Sequence, residues 1–161
     1  MNKKFQIKVY GFLIFSVLLS SFLCFLYYNS IQKVQKINIS NIEVTHLEGN
    51  NKVFPYNIDK VDKINRKLTI DGWLLKKGED NTYISTVVVI KDAKNNYYKL
   101  FTKSILRLDV SESFPDDYNY NNTGFVSKGK IKKYMKYPFK IYFLIKNKDK
   151  DLLIETNEII K

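Results

Sequence analysis

The chain has 161 residues, room for one domain and an appendage but not for two full-sized domains. Its 45% hydrophobic and 27% charged content, with 6 Gly and 3 Pro, excludes collagen, low-complexity disorder and a polytopic membrane protein. One Cys and one His exclude an intramolecular disulfide and a Cys/His metal cluster, and the formal charge of +11 turns attention to anionic partners.

Lys3, Lys4 and Lys8 precede an uncharged run from residue 12 to residue 28. With Val9, Tyr10 and Gly11 the apolar segment reaches 20 residues. That is about 30 Å of helix, the thickness of a bilayer's hydrocarbon core. Tyr10 at one end and Tyr27 and Tyr28 at the other suit the two interfaces. Three lysines and no acid before the span predict residues 1–8 in the cytoplasm, a transmembrane helix over 9–28, and the remainder outside. The chain is thereby expected to be a single-pass protein of the cell membrane, meeting lipid through this helix. A cleaved signal peptide shares the basic start and apolar run. However, residues 24–32 read Cys-Phe-Leu-Tyr-Tyr-Asn-Ser-Ile-Gln, with no small-x-small cleavage pair. Cys24 follows Phe22 and Leu23, not a small residue, so it reads as a lipid-facing or packing side chain and not an acylated one. The uncleaved anchor is the preferred reading.

Residues 29–41 are polar with spaced Ile and Val, and are expected to extend the helix briefly and then form a stalk. From residue 42 the chain reads as short strands and turns. Strands are expected over 42–47, 67–77, 83–91 (with the Val-rich stretch 86–90), 97–103, 124–130, 139–146 and 152–160, with a short extended piece over 107–110. Residues 48–66, polar and containing Pro55, read as an irregular connection. Residues 92–96 form a turn cluster, 115–122 a tyrosine-containing loop, and 132–138 a basic connection. Ala occurs once while Ile, Val, Thr, Tyr and Phe abound, which argues against a helical bundle. The predicted fold is all-β: an antiparallel β-sandwich with immunoglobulin-like (Ig-like) layering over residues 42–161, preceded by one transmembrane helix, with a small barrel as the alternative. Trp73, Leu74, Val87, Val89, Ile141 and Phe143 are the expected core.

Ile70-Asp71-Gly72-Trp73, a Val-rich strand, Arg107-Leu108-Asp109-Val110, Tyr120-Asn121-Asn122-Thr123-Gly124-Phe125 and a closing Tyr/Phe/Ile-rich hairpin follow one another from residue 68 to 160. This succession resembles bacterial membrane-anchored extracellular β-sandwich modules, found among uncharacterised cell-envelope proteins, some associated with surface-polysaccharide systems. The resemblance implies a fold and a location and brings no catalytic residue.

Candidate chemistry is sparse. His46, the only histidine, would have to serve any Ser-His-Asp or Cys-His site, and a satisfied or exposed histidine is the simpler reading. Asp117, Asn119 and Asn121 have the spacing that opens a calcium loop, but Asn122 stands where Gly is needed and Lys128 where Glu is needed. With Asp116 they read as side chains capping their own loop. Asp109, Glu112, Asp116 and Asp117 are the carboxylates from which an accessory hydrolase or transferase site would have to be built. Arg107 and Asp109, two apart, are structural pairing candidates. No Gly-rich phosphate loop or dinucleotide fingerprint occurs, so no cofactor is expected.

The charge is unevenly distributed. From Tyr118 to Lys148 there is no acid but there are eight lysines: 128, 130, 132, 133, 136, 140, 146 and 148. Lys128, Lys130, Lys132, Lys133 and Lys136, with Tyr134 and Tyr137 among them, are the candidate patch for an anionic ligand. The tyrosines would stack on sugar rings while the ammonium groups meet phosphate or carboxylate. Outside a cell the expected partner is an anionic envelope glycan, or another membrane protein, and not nucleic acid.

Overall fold

The computed structural model describes residues 3–31, 33–46, 53–81, 85–146 and 151–161, in two compact units, Met1–Gln32 and Lys33–Lys161. The first unit is a single helix, α1 (Lys3–Ile31). Its stretch Tyr10–Ser30 is long and apolar enough to cross a membrane. The hydroxyls of Ser16, Ser20 and Ser21 donate to the carbonyls of Leu13, Val17 and Val17 at 2.8–2.9 Å, so these three polar groups are satisfied within the helix.

The second unit is mostly strand. In chain order it contains β1 (Gln35–Ile37), β2 (Glu43–His46), β3 (Tyr56–Ile64), β4 (Lys67–Leu74), β5 (Ser85–Lys91), β6 (Tyr97–Lys99), β7 (Phe101–Ile105), α2 (Leu108–Ser113), β8 (Gly124–Lys130), β9 (Phe139–Lys146) and β10 (Leu152–Ile160). They form two sheets, one ordered β1-β6-β5-β9-β10-β2 and one ordered β3-β4-β8-β7. Pairing is antiparallel except between β10 and β2, which run parallel, so the first sheet is mixed and not purely antiparallel as expected.

Strand β4 shows why these residues fold as they do. Leu68, Ile70, Gly72 and Leu74 alternate with Lys67, Thr69, Asp71 and Trp73, and the first set is buried while the second is not. The buried set meets Val88, Ile90, Ile141, Phe143 and Ile154 of the other sheet in one core. Strand β9, at the middle of its sheet, is apolar on both faces. Phe139, Ile141, Phe143 and Ile145 enter this core, while Tyr142 and Leu144 join Val89 and Leu153 in a second cluster on the outer face. Ile37, Ile39 and Ile42 cover that second cluster. The continuous apolar run of β9 is thus the signature of a strand covered on both sides.

Several expectations are corrected. Within residues 29–41 the helix runs past residue 28, and the part expected as stalk contains a short strand. The helix ends at Ile31, Gln35–Ile37 pairs with β6, and Ile39 and Ile42 pack against the outer cluster of the six-stranded sheet. Within the span read as irregular, Tyr56–Ile64 is a nine-residue strand; residues 47–52 lie outside the described residues. Residues 97–103 are not one strand. The chain leaves one sheet at buried Leu100, whose N–H donates to the Val88 carbonyl at 2.9 Å, and enters the other as β7. The extended piece over 107–110 is instead the start of α2, held by buried Val110 against Leu75 and Tyr120. Of the expected core, Leu74, Ile141 and Phe143 lie between the sheets. Val89 and Val87 belong to the outer cluster, and Trp73 is half-buried on the far side of its sheet against Phe114, with ring centroids 5.9 Å apart.

The β5–β6 turn is built on one buried carboxylate. Asp92 Oδ1 accepts the backbone N–H groups of Lys94 and Asn96, both at 2.9 Å. Burial alone would push the Asp92 carboxyl up, but hydrogen bonds from Asn96, Lys94 and Lys136 outweigh it and hold the group below the usual carboxylate range. A depressed carboxyl contributes stability above the ordinary value, about pH 4, and loses it as pH falls through the depressed one. The acid limb of the stability curve, measured by urea unfolding from pH 6 downward, should therefore be shallower in Asp92→Asn than in wild type. Parallel curves would assign the acid sensitivity to other groups.

Candidate functional site

Among the described residues, basic side chains gather around a groove of about 450 Å³. Two chain segments build it. The first is the two-residue turn between β3 and β4, Asn65 and Arg66, with φ of 49° and 63°. Left-handed backbone at both positions is what a tight hairpin with the native strand twist requires, and Asn-Gly is the usual solution. Asn tolerates it, but an arginine there costs about 1 kcal/mol or more. The sequence therefore keeps a guanidinium where the turn favours glycine.

The second segment is the connection from β8 to β9. The Ile131 N–H donates to the Arg66 carbonyl at 2.7 Å, locking it to the turn. The Met135 N–H donates to the Lys132 carbonyl at 3.1 Å and the Ala93 N–H to the Lys136 carbonyl at 3.0 Å, so the connection is folded at both ends. Strand register explains the meeting. Lys67 on β4 pairs with Lys130 on β8, so the residues just beyond each, Arg66 and Ile131, are brought side by side.

Lys63, Arg66, Lys132 and Lys133 line the groove with Asn65 and Tyr137 over a floor of Ile131 and Met135, and no carboxylate is among the lining residues. Lys63 Nζ donates to the Lys161 carbonyl oxygen at 3.1 Å and lies 4.5 Å from the Tyr137 ring centroid. Among the described residues, the side chains of Arg66, Lys132 and Lys133 have no ion-pair partner. Lys63 is already held by the Lys161 oxygen, but Arg66, Lys132 and Lys133 line one cavity without an ion-pair partner among the described residues, and an anion in the cavity relieves their mutual repulsion.

The structure divides the seven residues of the candidate patch. Lys132, Lys133 and Tyr137 line the groove. Lys128 and Lys130 pair across from Thr69 and Lys67, on the outward row of the four-stranded sheet. Lys136 and Tyr134 are exposed on the same connection without lining the groove, and Tyr134 leans towards Tyr98, centroids 6.3 Å apart. Tyr137 is already engaged, by the Lys63 ammonium and by the Phe139 ring at 4.2 Å. Lys63 and Arg66 were missed by the sequence reading of the patch. The one available signal was the scarcity of arginine, two against 25 lysines.

The remaining candidates have structural partners. Arg107 donates from Nε and Nη2 to the two oxygens of Asp109 at 2.8 and 2.7 Å and from Nη1 to Asp59 at 2.5 Å. The fork ties the start of α2 to β3 and, with Arg107 beside it, holds the Asp109 carboxyl below its ordinary range. His46 Nδ1 lies 2.5 Å from Glu155, which also pairs with Lys140. Asp116 accepts the Tyr120 hydroxyl at 2.7 Å and the Tyr118 N–H at 3.1 Å, and Asn119 accepts the Asn121 N–H at 3.0 Å, so these side chains cap their own loop. Asp109 is taken up by Arg107, and Glu112 and Asp117 are exposed to solvent. No protein-family model, curated protein or solved structure matches this chain.

Proposed function

We propose that the chain is a non-enzymatic, membrane-anchored module of the cell envelope. In this reading α1 spans the membrane with its N-terminus in the cytoplasm. The β unit is an Ig-like sandwich outside the cell, and it holds an anionic envelope polymer in the Lys63–Arg66–Lys132–Lys133 groove. The single observation that carries the reading is the groove itself: four cations from two distant segments, no lining carboxylate, and an arginine kept at a turn position that favours glycine. The lysine-rich flank Lys3, Lys4 and Lys8 supports the orientation.

Arg66→Gly separates binding from folding. Glycine suits the left-handed turn, so the variant should be as stable as wild type or gain up to about 1 kcal/mol. Full-length protein in zwitterionic nanodiscs should retain purified anionic wall polymer at low salt and release it at high salt, since screening acts over about 8 Å at physiological ionic strength. Arg66→Gly combined with Lys132→Gln and Lys133→Gln should lose that retention while melting normally. Equal retention by the triple variant, or none by wild type at low salt, refutes the groove as the binding site.

Orientation has its own measurement. With Cys24 replaced by serine, a cysteine at exposed Asn95 in the β5–β6 turn should react with an impermeant maleimide on intact cells. The protein should stay full-length in the membrane pellet. Labelling only after lysis would invert the topology, and release of a fragment beginning near residue 29 would replace the anchor with a signal peptide.

A further inference from the structure

The groove's lining narrows the chemistry of what it holds. Anionic envelope polymers fall into two kinds. In one, carboxylates hang from sugar rings; in the other, phosphodiesters lie in the main chain and link short polyols. Ring-rich polymers are held by aromatic faces, because the apolar C–H face of a sugar stacks on an open ring. Here the one aromatic residue in the lining, Tyr137, is engaged by the Lys63 ammonium at 4.5 Å and the Phe139 ring at 4.2 Å. The other exposed tyrosine of the connection, Tyr134, does not line the groove. The floor is aliphatic and thioether, Ile131 and Met135, both buried. Such a floor offers no aromatic plane on which a sugar ring would stack.

The cations are arranged accordingly. Lys63 and Arg66 come from the β3–β4 turn region and Lys132 and Lys133 from the adjoining connection, so both segments that build the groove contribute positive charge. A phosphodiester within a main chain presents its two free oxygens to either side of the chain axis. The Arg66 guanidinium supplies a planar pair of donors for one phosphate, and the lysines supply point charges for it and its neighbours.

Resting on the anionic-polymer reading above, we infer that this groove takes an acyclic polyol phosphodiester chain in preference to a carboxylate-bearing polysaccharide. Three soluble probes test it on the full-length protein in zwitterionic nanodiscs at low salt: poly(glycerol phosphate), polygalacturonate with the same number of charges, and glycerophosphoglycerol, the free headgroup of phosphatidylglycerol. Poly(glycerol phosphate) should bind about tenfold or more tightly than polygalacturonate. The Arg66→Gly, Lys132→Gln, Lys133→Gln variant should lose at least that factor, as expected for several weak charge pairs acting together. The headgroup should displace the polymer only at much higher phosphate concentration, because a single phosphodiester meets one part of the groove at a time. Equal binding of the two polymers, abolished by the triple variant, would overturn the phosphodiester preference and leave the anionic groove standing. Displacement by headgroup at equal phosphate would assign the phosphodiester to lipid and overturn the polymer. Binding of neither polymer, or binding untouched by the triple variant, would overturn both this inference and the reading beneath it.

Discussion

Phe143→Ala should destabilise the β unit by about 3–5 kcal/mol, the cost of truncating a large aromatic side chain in a packed core. Phe143 is fully buried at the centre of β9, with Val88 and Ile154 opposite it on the two neighbouring strands. Its ring meets Tyr56 and Phe125 of the other sheet, at centroid distances of 5.5 and 5.4 Å. The truncation therefore removes one of the residues through which the two sheets pack, and leaves a cavity between hydrogen-bonded strands of both. A loss of that size is a large share of the 5–15 kcal/mol that typically holds a domain folded. The measurement is urea unfolding followed by far-ultraviolet circular dichroism. The same truncation at Trp73 supplies the contrast. That ring is only half-buried, on the far side of its sheet, and should cost less than Phe143 does. A Phe143→Ala loss below about 1 kcal/mol, the range of surface substitutions, would show that the sheets do not share this core.

Gly72→Ala should be the most damaging Gly→Ala change among the described glycines, at about 3 kcal/mol, the upper end for overpacking. A Cβ at residue 72 would stand 2.2 Å from the Asn57 carbonyl oxygen and 3.0 Å from Phe125 Cζ. The first of these is backbone of the paired strand β3 and cannot rotate away. The adjoining register shift between Ile58 and Lys60 already bends β3 at that point, so accommodation requires pulling the strand off its partner. The control is Gly78→Ala. Nothing lies within 4 Å of a Cβ there, and the φ of +81° imposes only the conformational cost of about 1 kcal/mol. Thermal melts of the two variants should differ clearly, with Gly72→Ala the lower. Equal melting would show that β3 is held too loosely for the close approach to matter.

The contrast between β3 and its neighbours explains which elements the residues announce. Strands β8, β9 and β10 have the bounds that periodicity and turn residues predict, because their apolar positions alternate or run continuously. Strand β3 is an edge strand, exposed at most of its positions. Its residues Ile58, Val61 and Ile64 recur every third place: the bulge keeps Ile58 and Val61 on one face, and Ile64, opposite Lys67, points the other way. An exposed, bulged edge carries little of the signal by which strands are recognised. The corner at Leu100 was hidden for a related reason: an apolar residue at a sheet-to-sheet crossing reads the same as one inside a strand. The short helix α2 owes its place to Val110, buried against Leu75 and Tyr120, contacts that only the folded chain supplies.

The sequence by itself determined the apolar span near the N-terminus, the β character of the rest, and the acid-free basic run that contains Lys132 and Lys133. Each of these is a local property, set by composition, length or period within a few tens of residues. Only the tertiary structure decided which lysines act together. Strand pairing turned Lys128 and Lys130 onto a sheet face, away from the groove lining, and left Lys136 and Tyr134 outside that lining. It brought Lys63 and Arg66, more than 60 residues earlier in the chain, beside Ile131 through the register of β4 on β8. Charge density can be read along a chain, but the field in a groove depends on which distant strands end side by side, and non-local hydrogen bonding fixes that.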